Sequence, residues 1–421
     1  MNFCRERRNI HCVSTSPSIG PTDPQARLTS VDAVRGFALF GVLLVNMYNF
    51  GAYSSEWTAV GDRIAFFVMH SVFETKSWRL FSFLFGFGFA LQMVKLQRQP
   101  DGSMWFYLRR LLILFVFGMG HALFYDGDIL MEYSMLGLVL IAFYKVPDRT
   151  LLLLAFLLLA AFPLGNLYVS ATVDEPFAED EQSQTLAERR EGHEYLGSVA
   201  DVVKANAHVI PPRVWSNLHG PEASLAVFAM FLLGLYAGRN RILHDASRHL
   251  PLIRTMFGWG IGIGVIFAIA EWLLGQTLGY AVFRENTASL EIQLVGDFLF
   301  AYGSTMLALG YGAGIVLLTQ KEICMGALRV LQSMGKMALT VYLSGTLLFT
   351  LLFYGYGFGL IFLLGPAKTS LFAVLFFCLQ AAFCVWWLKR FRYGPMEWIW
   401  RSLTYRKVFP IRVAEAQPVQ R

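Results

Sequence analysis

Charge is what this chain has least of. Asp, Glu, Lys and Arg make up 15% of its 421 residues, against 56% hydrophobic ones, a balance that excludes an ordinary soluble globular protein. The five cysteines, Cys4, Cys12, Cys324, Cys378 and Cys384, form no Cys-x-x-Cys pair, so neither a disulfide framework nor a zinc site is indicated. Residues Met1 to Ser30 carry Arg5, Arg7, Arg8 and Arg27 but no apolar core, so they do not read as a cleaved signal peptide. No repeat of solenoid length is visible. The Phe85-Gly86-Phe87-Gly88-Phe89 run lies in an apolar stretch without the strand-turn-helix setting of a phosphate loop.

Long apolar runs are what the chain has instead. At about 20 residues per crossing, they predict an all-α, polytopic membrane helix bundle of about ten transmembrane helices. The expected divisions are a cytoplasmic tail (1–30), N-terminal membrane helices (31–170), an acidic extracytoplasmic insert (171–220), C-terminal membrane helices (221–390) and a basic cytoplasmic tail with an interfacial helix (391–421). The second apolar stretch, Ile64 to Val94, is longer than a bilayer needs and has to tilt, kink or extend beyond the lipid. The insert holds nine acidic residues against four basic ones, and Glu181 to Ala207 fits an amphipathic helix on the membrane face. The net charge of +6 comes from Lys and Arg scattered over alternate short loops. This pattern points to membrane orientation rather than nucleic acid, and by the positive-inside rule puts both termini in the cytoplasm. Gly258-x-x-x-Gly262, Gly260-x-x-x-Gly264 and Gly86-x-x-x-Ala90 place small residues on shared helix faces for close packing.

Ionisable groups inside such spans are costly and mark functional sites by default. The hairpin from Arg109-Arg110 through His121, Asp126 and Asp128 is the strongest case. A carboxylate beside His121 would fix its tautomer and raise its basicity for general-base work, while the same groups could instead cap the next helix at Asp128. Asp32 and Arg35 share a helix face at the inner end of the first span, either as an end-of-helix ion pair or, with Arg109 and Arg110, as a site for a phosphate-bearing donor. Asn46 sits near the outer end of the same span. His70 and Glu74 share another face. With Glu271 and Asp297 they could instead form a proton relay. No metal motif is visible; His193, His208, His219, His244 and His249 fall in loops at irregular spacings. Pro395 opens a C-terminal helix rich in Trp and Arg, an interfacial anchor in composition.

Ser30 to Gly36, the hairpin with Gly127-Asp128-Ile129-Leu130, Gly335 to Tyr342, and Gly394-Pro395-Met396-Glu397-Trp398 with Arg401 and Thr404-Tyr405 together resemble the YeiB-like family of bacterial inner-membrane proteins. More distantly, Asp32, Arg35-Gly36, Ala38 and Asn46 resemble the first span of transmembrane acyltransferases, the acyltransferase-3 and heparan-glucosaminide N-acetyltransferase groups. That resemblance implies a multi-pass protein of the cytoplasmic membrane that moves an acyl group from a cytoplasmic thioester such as acyl-CoA, with no resident cofactor, to an envelope glycan or lipid. Asn46 stands where acyltransferase-3 proteins carry histidine, and Trp57 stands where the glucosaminide enzymes do, so His121 or His70 would have to supply the base. Two rivals stay open: a proton-coupled transporter or exporter, and a non-catalytic scaffold or sensor built on the acidic insert.

Overall fold

The structure is a computed structural model, and it describes residues 28–51, 59–97, 104–125, 127–172, 195–219, 222–278, 288–361 and 363–412. It is helical throughout these ranges apart from turns and one isolated bridge between Phe391 and Arg412. In chain order the helices are α1 (Thr29–Gly51), α2 (Val60–Val68), a π-helical turn (Met69–Phe73), α3 (Lys76–Gln97), α4 (Met104–Ala122), α5 (Leu130–Phe143), α6 (Asp148–Thr172) and α7 (Val199–His219). They continue as α8 (Glu222–Arg239), α9 (Leu250–Leu278), α10 (Leu290–Gln320), α11 (Met325–Lys336), α12 (Ala338–Phe353), α13 (Pro366–Leu388) and α14 (Pro395–Tyr405). Among the described residues, six helices are long and apolar enough to cross a membrane, or seven if α11 and α12 form one bent span. Helices α5 and α8 are shorter apolar ones. The chain is a helical membrane protein.

The second apolar stretch is kinked rather than merely long. After the π-helical turn, Glu74 adopts an extended ψ and Thr75 a left-handed φ of 62°, a conformation that costs a β-branched residue energy. The break divides α2 from α3 within a 38-residue apolar run, with His70 in the π-helical turn and Glu74 at its end.

Helix α1 is the hub, packing on α3, α10, α11, α12, α13 and the π-helical turn. Its approach to α11 needs small residues on both sides: a Cβ on Gly36 would strike the Leu331 carbonyl, and one on Gly335 the Asp32 carbonyl. Two of the glycine faces expected from the sequence do pack. Gly260 and Gly264 meet Met306, Leu307 and Gly310 of α10, and Gly86 meets the Phe231 backbone of α8. Gly258 and Gly262 meet nothing, because they lie on the opposite side of α9.

Helices α11 and α12 are bent by 84° at Met337. The bend exposes backbone N–H groups at the start of α12, and Glu397 of α14 satisfies them. Its carboxylate accepts from the Leu339 N–H (2.6 Å), the Thr340 N–H (3.0 Å) and the Thr340 hydroxyl (2.6 Å). The expected C-terminal helix is present with Pro395 in its first turn, but it is more than an anchor, since it caps a broken span.

Of the amphipathic helix expected over Glu181 to Ala207, residues 181–194 lie outside the described residues. Helix α7 begins at Val199 and covers the end of the bundle where α4 turns into α5. There the Asn206 amide donates to the Leu123 carbonyl (3.1 Å), and the Gly355 N–H donates to the Tyr195 carbonyl (2.8 Å).

Candidate functional site

His121 ends α4 and Asp128 precedes α5, so a short turn brings them together. Their contact is Nδ1 to Oδ1 at 2.8 Å, and both are buried. A carboxylate only accepts, so Nδ1 carries the hydrogen, and in the neutral imidazole Nε2 is left with a lone pair. That lone pair faces the Thr346 hydroxyl of α12 at 2.7 Å. The other Asp128 oxygen takes the Met131 N–H at 2.8 Å, so the carboxylate caps α5 and orients His121 at once. The His121 ring also lies 4.8 Å from the Tyr342 ring, whose hydroxyl accepts from the Ile129 N–H at 3.3 Å. Asp126 lies outside the described residues.

A cavity of about 230 Å³ occupies the other half of these helices. Arg35, Arg110, Lys336 and Arg401 line it together with a single carboxylate, Glu397, which is occupied at the start of α12. Arg110 stacks on Trp400 at 4.0 Å from the ring centre. The rest of the lining is aromatic and aliphatic, including Phe85, Phe89, Leu111 and Leu114, and the cavity ends against Ile129, Leu130 and Tyr342. Leu114, the last α4 residue in the lining, is about two turns short of His121. Tyr342 also lines a second void of about 10 Å³ on its α1 side, where Asn46 sits with Leu43 and Phe349. A cationic end, an apolar middle and a buried polar trio therefore succeed one another between α4, α5 and α12. Beside Glu397, burial pushes its carboxyl above the ordinary range against the pull of the Thr340 and Leu339 bonds, and burial likewise raises the Tyr405 hydroxyl.

The residues singled out in the sequence fall into three groups. Arg35 and Arg110 face the cavity, and Arg35 is paired with Asp32 at 2.9 Å. Arg109 does not face it: its guanidinium donates to the Thr404 carbonyl at 2.9 Å and holds α14 against α4, because adjacent residues on a helix point about 100° apart. His121, Asp128 and, across Tyr342, Asn46 form the second group.

His70 and Glu74 belong to a third cluster. His70 contacts Glu74, lies 3.8 Å from Glu271 of α9, and receives the Lys76 ammonium on its carbonyl at 3.1 Å. Nearby, buried Arg79 donates to the Ala301 carbonyl and, at 2.7 Å, to the Thr305 hydroxyl. Asp297 takes a hydrogen bond from Asn166 at 2.9 Å. His208 and His244 are exposed, and His244 holds the Asp245 carboxyl below its ordinary range. His249 is half-buried in the same loop, His193 lies outside the described residues, and His219 ends α7. Among the described residues no group of three or more metal-ligating side chains comes together.

Sequence reasoning missed Thr346, Tyr342, Lys76 and Arg79. Lys76 and Arg79 carried a usable signal, two cations inside an apolar run. Thr346 carried none, since hydroxyls are common in apolar helices.

These features define the class: a polytopic helical membrane protein with a cation-lined cavity that leads toward a buried His–Asp–Thr group. The chain belongs to the DUF418 family, whose description is "Protein of unknown function"; that family's pattern matches residues 237–407. It is similar to YxaH of Bacillus subtilis, an uncharacterized protein, with 32% identity covering 94% of this chain and 98% of that protein. It is also similar to an uncharacterized 39.9 kDa protein encoded in the amylase 3' region of Bacillus acidopullulyticus, with 28% identity over 91% of this chain and 96% of that one. The uncharacterized YeiB of Escherichia coli matches at 26% identity over 91% and 98%, which bears out the YeiB-like resemblance. No solved structure matches this chain.

Proposed function

We propose that the protein is a membrane-embedded acyltransferase that takes an acyl group from a cytoplasmic thioester such as acyl-CoA and passes it to an envelope glycan or lipid. One observation carries the reading. A cavity with four cations in its lining and an otherwise mostly apolar wall ends against Tyr342, whose ring packs against the His121 ring. Phosphates suit the mouth, above all Arg110 and Lys336, and an acyl-pantetheine arm suits the throat. In this reading His121, held by Asp128, is the base that removes an acceptor proton, and Asn46 donates to the developing oxyanion. Asp32 and Arg109 act indirectly, holding Arg35 and α14.

In this reading α4, α5 and α8 cross the membrane along with the longer helices, which makes about ten passes with both termini on the cytoplasmic side of the inner membrane and α7 outside. The expected result for His121→Ala is a loss of envelope acylation of at least about 100-fold, while Arg110→Ala raises the donor KM and leaves kcat nearly unchanged. Mass spectrometry of envelope glycans and lipids from cells carrying each variant is the measurement. Unchanged acylation in the His121 variant removes this residue from the mechanism.

The cluster of His70, Glu74, Glu271 and Lys76 favours a second reading, a proton-coupled carrier, because alternating acid and base groups inside spans are what a relay needs. Proteoliposomes containing the chain would then move a substrate only under a pH gradient, and Glu271→Gln would uncouple the two. Gradient-independent behaviour across a broad substrate panel counts against it.

A further inference from the structure

We infer that Thr346 is the acyl-accepting nucleophile of a two-step transfer, a role that rests on the acyltransferase reading above. The argument begins with what a threonine does by default in an apolar helix, which is to bond its hydroxyl back to its own preceding turn. Thr305 bonds to Ala301, Thr319 to Ile315, Thr404 to Trp400 and, on the same helix as Thr346, Thr350 to Leu347. Thr346 departs from that habit and gives its hydroxyl to His121 across the bundle.

The tautomer makes the departure chemical. With Nδ1–H held by Asp128, the only basic nitrogen of His121 is Nε2, and the proton it faces is that of Thr346. The three side chains thus have the order and spacing of a carboxylate–imidazole–hydroxyl relay, 2.8 Å and 2.7 Å, which is the arrangement that activates a weak alcohol nucleophile. An external acceptor could reach Nε2 only by displacing Thr346.

Access lies along the same helix face. Tyr342, one turn before Thr346, borders both the large cavity and the small void with Asn46. Gly345, next to Thr346, lets α12 pack closely: a Cβ there would come within 3.0 Å of Leu43 and 3.7 Å of Gln380. The proposed transfer requires the Tyr342 ring, which separates the throat from Thr346, to turn aside.

The chemistry balances without an oxidant or reductant. In the first step Thr346 Oγ bonds to the thioester carbonyl carbon, its proton passes to His121 Nε2, the C–S bond breaks, and the sulfur leaves as a thiol with that proton. In the second, an acceptor hydroxyl gives its proton to Nε2 and bonds to the acyl carbon. The carbon–Oγ bond then breaks and Thr346 recovers the proton.

The test uses the purified full-length chain and acetyl-, butyryl- and palmitoyl-CoA, each radiolabelled in the acyl group, with no acceptor added. At least one label is expected to remain on the protein, to be released by alkaline hydroxylamine as an oxygen ester is, and to map by peptide mass spectrometry to Thr346. Thr346→Ser retains the label. Thr346→Val and His121→Ala lose it, while Thr346→Val binds the same CoA within about threefold of wild type. A Thr346→Val chain that transfers acyl groups to membranes at the wild-type rate overturns the inference and leaves the acyltransferase reading standing, as does a wild-type chain that transfers but never carries label. If none of the three CoA esters binds or reacts, both fall together.

Discussion

Asp128 has two oxygens with different tasks, and that division makes one substitution informative. In Asp128→Asn the side-chain shape is kept, but only one oxygen remains: if it keeps the Met131 cap, the amide NH2 donates to Nδ1 and moves the imidazole hydrogen to Nε2, and otherwise the cap is lost. The expected outcome is a fall in kcat of about 10²–10⁴ with little change in donor KM, and a stability loss of about 1 kcal/mol from the cap or hydrogen bond. Steady-state acyl transfer and thermal unfolding in detergent measure the two effects, and retention of more than half the rate rules out an orienting role for the carboxylate. His121 and Asp128 could be found in the sequence because titratable groups stand out in apolar surroundings. Thr346 could not, because only a contact between residues far apart in the chain separates it from threonines that bond to their own helix. Arg109 and Arg110 show the same limit from the other side: the sequence presents a pair of equal arginines, whereas helix geometry sends one to the cavity and the other to α14.

The elements that shape the site are the broken ones. The bend between α11 and α12 places Lys336 at the cavity mouth and Tyr342 at its end, and it persists because Glu397 satisfies the N–H groups of Leu339 and Thr340. Burial raises the Glu397 carboxyl above its ordinary value of 4.5. A raised folded value means that the group's contribution to stability is complete below the unfolded value and is lost as pH rises through the folded one. Glu397→Gln keeps an oxygen for the two N–H groups and removes the titration. The stability difference between wild type and this variant is therefore expected to shift toward the variant as pH rises from about 4.5 to neutrality, read as melting temperatures across that range. A difference that is flat with pH contradicts the assignment. Glu397→Ala, which has no acceptor at all, destabilises at every pH. The sequence indicated that the second apolar stretch was too long for one straight crossing, and that Pro395 starts a helix. It gave no sign that the chain breaks at Thr75, or that a carboxylate in the tryptophan-rich helix caps a distant span, since both depend on neighbours supplied by other helices.

At the scale of the whole molecule, the mechanism needs Arg110 toward one face of the hydrophobic layer and His121, about 16 Å further along the helix, toward the other, which requires α4 to cross it. Helix α4 has 19 residues and spans about 28 Å, close to the roughly 30 Å of a bilayer's hydrocarbon core. Helix α8, with 18 residues, is similar, while α5, with 14 residues and about 21 Å, crosses only where the layer is thinned or where α7 and the α4–α5 turn replace lipid. The number of passes has a consequence that can be measured at the ends of the chain. Seven spans, the long helices plus the bent pair, put the two termini on opposite faces; about ten, with α4, α5 and α8 counted, put them on the same face. The alternation of basic loops favours the second arrangement, with Arg239 to Arg254 and the segment after Leu388 inside. Single cysteines placed at Leu28 and Arg412 in a cysteine-free background, probed in intact cells with a membrane-impermeant maleimide, are both expected to stay unlabelled until the membrane is opened, while a cysteine at Ser198 before α7 labels at once. Labelling of only one terminus in intact cells would mean an odd number of passes. In the seven-span arrangement α4 does not cross, and the cations of the cavity and the His121 group would then lie toward the same face, with no path between the two compartments.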